Sequence, residues 1–64
     1  MSVRINREKM VVAMMRAGLN VTQLAEKSGV SRVTISAIKA GKPCSIGTAG
    51  KLVSVLGSGI VKAV

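Results

Sequence analysis

The sequence predicts an all-α fold of four to five short helices, and three observations lead to it. Apolar residues recur at helical spacing in several short segments. Glycines and capping residues separate those segments from one another. The chain has 64 residues, which suffices for one small hydrophobic core. We therefore expect a single domain over residues 1–64.

The first helix is predicted over residues 7–17, with Asn6 as its N-cap. Ile5 precedes this cap and Met10 follows in the first turn, so the two can form a hydrophobic staple. Gly18 is expected to end the helix. A stripe at helical spacing is expected to face the core, formed by Val11, Met14 and Met15.

The second helix is predicted over residues 21–28 and opens with a capping box. The side chain of Asn20 can accept a backbone N–H of the first turn, and Gln23 follows three residues later. Gly29 stands where the helix must stop in the left-handed conformation, which costs little only for glycine. Val30 can then fill the corner below the turn.

The third helix is predicted over residues 32–40, after Ser31 as its N-cap. Ile35 and Ile38 repeat at a spacing of three and are expected to face the core. Gly41 is expected to end this helix.

A loop is predicted over residues 41–47, and a fourth helix begins after Thr48 as its N-cap. The Gly57-Ser58-Gly59 segment is expected to break that helix. Residues 60–64 are too short to assign, so a helical turn and a β-strand both stay open. The residues of the fourth helix expected in the core are Leu52, Val53 and Leu56.

The central segment resembles the helix-turn-helix of the phage repressor and Cro type, often called the Xre family. Residues 5–20 and 48–57 are similar to the first and fourth helices of that family. The resemblance implies a lambda-repressor-like DNA-binding domain with its helix-turn-helix at about residues 21–40. Val21 departs from the family pattern, which usually has a Gln that touches the DNA backbone there. The matching residues are Leu24, Ala25, Gly29, Val30, Ser31, Ile35 and Ile38.

The charge balance favours a polyanionic partner. The chain has 10 Lys or Arg residues against 2 acidic ones, a net charge of +8. Basic side chains release counterions from nucleic-acid phosphates on binding. The two carboxylates, Glu8 and Glu26, are predicted on separate helices, and no His is available as a base. We therefore expect a binding protein and no enzyme.

Composition argues against other classes of protein. The longest apolar run, residues 10–15, is too short to span a membrane, and charged residues interrupt any leader-like segment at the start. Cys44 is the one cysteine, so neither a disulfide framework nor a zinc site is expected, and it is interpreted as an idle loop thiol. We expect no cofactor, no metal, no small-molecule ligand and a cytoplasmic location in a bacterium or a phage-infected host.

The resemblance implies that the third helix reads base edges in the major groove through Arg32, Val33, Ser36 and Ala37. Arg32 can pair with a guanine, and Val33 suits a thymine methyl group. Two alternatives stay open: Arg32 touches a phosphate, or Val33 packs on the second helix. DNA-backbone contacts, each with the alternative of a solvated surface residue, are expected from Ser31, Thr34, Lys39, Lys42, Thr48 and Lys51.

These expectations combine into a sequence-specific transcriptional regulator, a homodimeric repressor on an inverted-repeat operator. The missing aromatic residues favour dimerisation, since they remove the bulkiest core fillers. The expected dimer surface is the fourth helix with a tail at residues 57–64, because Ile60, Val61 and Val64 lack an evident intramolecular role. One alternative is an antitoxin that also represses its own operon. The other is a cationic peptide that acts on membranes.

Overall fold

The computed structural model describes residues 2–62 and shows four helices around a common core. The helices confirm the all-α prediction, and a pair of two-residue strands lies at their edge. No helix within residues 2–62 has the length and apolarity to cross a membrane. Along the chain the elements are β1 (Ser2–Val3), α1 (Arg7–Ala17), α2 (Val21–Ser28), α3 (Arg32–Lys39), β2 (Cys44–Ser45), α4 (Ile46–Leu56) and a 3₁₀ turn (Ser58–Ile60).

The core is built from aliphatic and methionine side chains drawn from every helix. Each such side chain contributes about 1.5–3 kcal/mol when it is fully buried. Helices as short as α2 and α3 are marginal alone in water, so this shared burial stabilises them. The largest fully buried side chains are Met10, Leu24, Ile35, Ile38, Leu52 and Ile60.

Helix starts and stops follow the predicted capping residues. Asn6 and Ser31 cap α1 and α3, as expected. At the start of α2, Asn20 Oδ1 accepts the Gln23 N–H at 2.8 Å, and Gln23 Oε1 accepts the Asn20 N–H at 2.9 Å. Gly29 ends α2 with φ +74°, in the left-handed region. These local hydrogen bonds fix where α2 begins and ends.

The inward face of α1 differs from the predicted stripe. Met10 and Met14 are buried, whereas Val11 is 37% exposed and Met15 is 73% exposed. Residues four apart lie on one helix face, so Met10 and Met14 point to the core together and Ala13 packs beside them. The prediction was right for Met14 and wrong for Val11 and Met15.

The start of α4 was predicted three residues too late. Ser45 is the N-cap, and its Oγ accepts the Thr48 backbone N–H at 3.1 Å. Thr48 lies inside the first turn, where its Oγ1 accepts the Ser45 hydroxyl at 3.0 Å. Both residue types can cap a helix. The pairing of β2 holds Ser45 extended, which selects it as the cap.

Residues 44 and 45 form a strand where a loop was predicted. Val3 pairs with Cys44 and Ser2 with Ser45 in an antiparallel register. Cys44 is 8% exposed and belongs to the core, so its interpretation as an idle loop thiol was wrong. Burial raises the pKa of the Cys44 thiol, because desolvation disfavours the thiolate.

The C-terminal segment packs against the N-terminal one. Ile60 is 2% exposed, and its carbonyl accepts the Asn6 N–H at 2.7 Å. The Lys62 N–H donates to the Arg4 carbonyl at 2.9 Å. The expectation that Ile60 lacks an intramolecular role was therefore wrong. Val61 is 37% exposed, and the Val64 part of that expectation lies outside the described residues.

Candidate nucleic-acid interface

The corner between α2 and α3 is closed by hydrogen bonds within a few residues. The Gly29 N–H donates to the Ala25 carbonyl at 2.9 Å. The Ser28 hydroxyl donates to the Leu24 carbonyl at 2.6 Å and accepts the Val30 N–H at 3.2 Å. Val30 is buried below the turn, as predicted. The sequence reading missed Ser28, although a hydroxyl residue just before the helix-ending glycine is a usable signal.

The first position of α2 is not occupied by Gln. Val21 occupies that position and packs against the core. The amide of Gln23 is engaged in the capping box with Asn20. Val21, which stands where the family pattern usually has Gln, therefore contributes to the hydrophobic core.

Helix α3 has one anchored face and one exposed face. Ile35 is 0% exposed and Ile38 is 1% exposed, so the helix is fixed on the core at two points. The opposite side carries Arg32, Val33 and Ser36, all exposed, which we call the recognition face. Because the anchors lie on the same short helix, the recognition face has a defined orientation relative to the domain.

Val33 is the most exposed large hydrophobic residue of the described chain, at 81%. The alternative that Val33 packs on α2 is therefore wrong. An aliphatic side chain in this position gains nothing from water, whereas contact with an apolar group would stabilise it.

The other predicted base-reading and capping residues of α3 lie at its edges. Ala37 is half-buried, so it borders the recognition face rather than projecting from it. Thr34 is also half-buried, and its hydroxyl lies 2.8 Å from the Ser31 hydroxyl. The Ser31 Oγ also accepts the Thr34 N–H at 3.2 Å. Ser31 and Thr34 thus complete the start of α3, while Ser31 stays exposed.

The end of α3 brings further basic residues together. Gly41 has φ +97°, and the Lys42 N–H donates to the Ala37 carbonyl at 3.0 Å, which closes the helix end. The Arg7 guanidinium lies beside Gly41, 3.6 Å from where a Cβ would be. Lys39 is exposed at the end of α3, next to this turn.

A cleft of about 490 Å³ lies at this end of α3. Its lining includes four exposed cations from three separate segments, and we call it the basic cleft. Of these four residues, the sequence analysis predicted a DNA-backbone contact for Lys42, with a solvated surface residue as its alternative. The cleft itself was not predicted, because its four cations come from segments that are remote from one another in the chain. The four cations are Arg4, Arg7, Lys42 and Lys62.

The start of α4 holds the last two predicted backbone contacts. Lys51 is exposed, and Gly50 beside it leaves open space, since a Cβ there would meet nothing within 4 Å. Thr48 is half-buried and its hydroxyl is held by Ser45. Lys51 is thus freer than Thr48 to reach a ligand.

Basic residues outnumber acidic ones on the surface, where Glu8 and Glu26 are also exposed. All 10 Lys and Arg residues lie in the described range and are exposed. Over residues 2–62, no group of three or more His, Cys, Asp or Glu side chains could hold a metal ion. The arrangement therefore suits the binding of an extended polyanion.

Comparison with known proteins places this geometry in a family. The family model described as Helix-turn-helix matches residues 12–62 of the chain, which include α2, α3 and α4. No curated protein and no solved structure matches the chain. The match covers most of the chain and contains the α2–α3 corner, so the protein belongs to the Xre and lambda-repressor type of helix-turn-helix family, whose members are sequence-specific DNA-binding regulators.

Proposed function

We propose that the protein is a homodimeric transcriptional repressor that reads an inverted-repeat operator with α3 in the major groove. The observation that carries this proposal is the recognition face, where an 81% exposed Val33 stands beside Arg32 and Ser36 on a helix anchored by buried isoleucines. An exposed aliphatic side chain beside a cation can contact an apolar group on a base edge, whereas exposure to water does not stabilise it.

Each residue of the recognition face has a distinct role in this proposal. Arg32 forms two hydrogen bonds with a guanine, which is worth about 1–3 kcal/mol of discrimination against other bases. Val33 contacts a thymine methyl group, and Ser36 donates to or accepts from a neighbouring base. Ala37, at the edge of the face, allows the helix to approach closely.

A second set of residues positions the domain on phosphates without reading sequence. Lys39, Lys42 and Lys51 are exposed and supply charge-assisted contacts, whereas Ser31, Thr34 and Thr48 supply hydroxyl groups near helix starts. Helix starts attract phosphates through their free N–H groups and dipole. The basic cleft adds Arg4, Arg7 and Lys62 to this set.

Dimerisation follows from the symmetry of an inverted repeat. Two copies of α3 enter successive major grooves about 34–36 Å apart, and each copy reads one half-site. Repression then results from occupation of a promoter, which excludes the polymerase. This activity belongs in the cytoplasm of a bacterium or of its phage-infected counterpart, at the nucleoid.

The test is selection of bound duplexes from a random DNA library at about 150 mM salt, where nonspecific charge-driven binding is weakened. We expect an inverted repeat with a guanine preference in each half-site. Arg32→Ala should lose that preference, while Lys27→Ala, which removes one positive charge from the surface of α2, should keep it. Recovery of unselected sequences would contradict the proposal and leave charge-driven binding alone.

A salt titration separates positioning from reading. Lys42→Gln should lower the slope of log affinity against log salt by about 1 and weaken binding to all sequences alike. Lys9→Gln, on the surface of α1, should leave the slope unchanged. A loss of sequence preference in Lys42→Gln would contradict its role as a backbone contact.

A further inference from the structure

A groove of about 690 Å³ with both apolar and charged lining runs between α1 and the end of α4. Val12, Val55 and Leu56 contribute its apolar lining, and we call it the α1 groove. It shares no residue with the recognition face, and Glu8 is the lining residue that it has in common with the basic cleft. A partner can therefore occupy the α1 groove while DNA occupies the recognition face.

The outer side of α1 exposes aliphatic groups next to this groove. Val12 is 45% exposed and Met15 is 73% exposed. Valine is also a poorer helix former than the residues that usually cover a solvated helix face. Burial of this surface against a partner would stabilise the complex.

Two opposite charges flank Val12 on the same side of α1. Glu8 lies four residues before it and Arg16 four residues after it, and residues at this spacing share a helix face. Glu8 is one of 2 acidic residues in a chain of net charge +8. The side-chain hydrogen bonds among residues 2–62 are all local, and none engages Glu8 or Arg16. Both charges are available to a partner.

We propose that a second copy of this chain covers the α1 groove, with the two α1 helices antiparallel and the two-fold axis beside Val12. Antiparallel packing pairs the residue before the axis with the residue after it, so Glu8 of each copy faces Arg16 of the other. The same contact occurs twice, as in any isologous interface. Rows of residues four apart are also the rows that most often interlock between packed helices.

This surface supplies the dimer contact of the proposed repressor, and the inference rests on that function. A standard interface buries about 800 Å² per partner, which is about a fifth of the 4184 Å² surface of this chain. A groove on one helix pair covers less than this. The dimer is therefore weak and concentration-dependent, and DNA strengthens it by holding two copies together.

The test uses two charge-reversal variants, Glu8→Arg and Arg16→Glu, in sedimentation equilibrium at low salt. Each variant alone should associate about tenfold more weakly than the natural chain, because both symmetric contacts become repulsive. An equimolar mixture should recover association, since Arg at position 8 then faces Glu at position 16 in one contact and the natural pair forms the other. This recovery is diagnostic, because a change in the folding of either variant alone cannot restore association only in the mixture.

Matched controls come from α2, where Glu26 and Lys27 are exposed. Glu26→Arg and Lys27→Glu make the same changes in net charge away from the groove, and their mixture should gain nothing. A mixture of the α1 variants that stays as weakly associated as its components overturns the proposal. Equal recovery in the α2 mixture also overturns it, because the effect would then be net charge alone.

An uncharged substitution tests the proposed dimer contact if a charge reversal unfolds the chain. Val12→Gln keeps a good helix former on the surface and removes the apolar centre of the interface, so association should weaken about tenfold with the melting temperature preserved. Unchanged association overturns the proposal. Binding of Val12→Gln to a single half-site should match that of the natural chain, so a failure of the dimer surface is distinguishable from a failure of DNA recognition.

Discussion

The α2–α3 corner and the joined chain ends are held by hydrogen bonds of very different range. In the corner, Asn20 bonds Gln23, and Ser28 bonds Leu24. At the ends, Asn6 bonds Ile60 and residue 62 bonds residue 4, so the bonds span nearly the whole chain. The corner forms through hydrogen bonds between residues that are close in the sequence. The ends form because burial brings them together.

The difference means that the two regions fail in different ways. Loss of a capping or turn hydrogen bond in the corner affects only neighbouring residues, and each such bond contributes about 1 kcal/mol to stability. A lost core residue at the ends removes contacts with several elements at once. The chain ends should therefore be more sensitive to truncation of a side chain than the corner is.

The largest effect is expected from Ile60→Ala. Removal of a fully buried isoleucine costs about 2–5 kcal/mol, because the cavity is only partly filled. Urea unfolding should show this loss directly. Val61→Ala, at a 37% exposed neighbour, should cost much less. Equal losses in the two variants would show that the 3₁₀ turn is not part of the core.

The next effect is expected from Gly29→Ala in the corner. A side chain at φ +74° costs about 1–2 kcal/mol through backbone strain, although a Cβ there meets nothing within 4 Å. Gly50→Ala adds the same Cβ in open space inside α4 and should stabilise the domain by about 0.5–1 kcal/mol. Thermal melting should shift in opposite directions, and a shift of the same sign would contradict the conformational argument.

A smaller effect is expected from Ser28→Ala. The substitution removes the hydroxyl that bonds both the Leu24 carbonyl and the Val30 N–H, at a cost of about 1 kcal/mol. Ser54→Ala is the matched change on an exposed face of α4, where the hydroxyl bonds one carbonyl at 3.3 Å, and should be nearly neutral. Denaturant midpoints of the two variants provide the comparison.

The smallest effect concerns pH and tests the burial of the Cys44 thiol. The pKa of the buried thiol is raised in the folded chain, so above pH 9 the unfolded chain loses this proton first. The unfolded chain then binds fewer protons, and the contribution to stability is lost as pH rises through the folded pKa. Cys44→Ala should lose less stability than the natural chain between pH 8 and the folded pKa, as measured by urea unfolding at several pH values. Equal slopes would contradict the burial of Cys44.

Local chemistry made the corner predictable from the sequence. Asn20, Gly29 and Ser31 specify their roles by residue type and spacing, and the structure has each in the expected role. The recognition face was also predictable, since Ile35 and Ile38 define which side of α3 is buried. Contacts with DNA themselves stay predictions.

Long-range packing made the rest unpredictable. The stripe on α1 was shifted because Val11 and Met15 are as apolar as Met10, and only the position of α4 and the 3₁₀ turn decides which face is covered. Thr48 and Ser45 are both capable caps, and the partner strand at residues 2–3 decides between them. The basic cleft was not predicted for the same reason, since its cations come from segments that are distant in the sequence.

The bond between Arg4 and Lys62 also sets where anything attached to the chain would emerge. Because these residues are joined at 2.9 Å, a segment that follows Lys62 leaves the domain next to the C-terminal end of α3, whereas a segment placed before Ser2 leaves it beside β2. The same bond brings residues 4 and 62 together, which is the arrangement that favours tolerance of circular permutation.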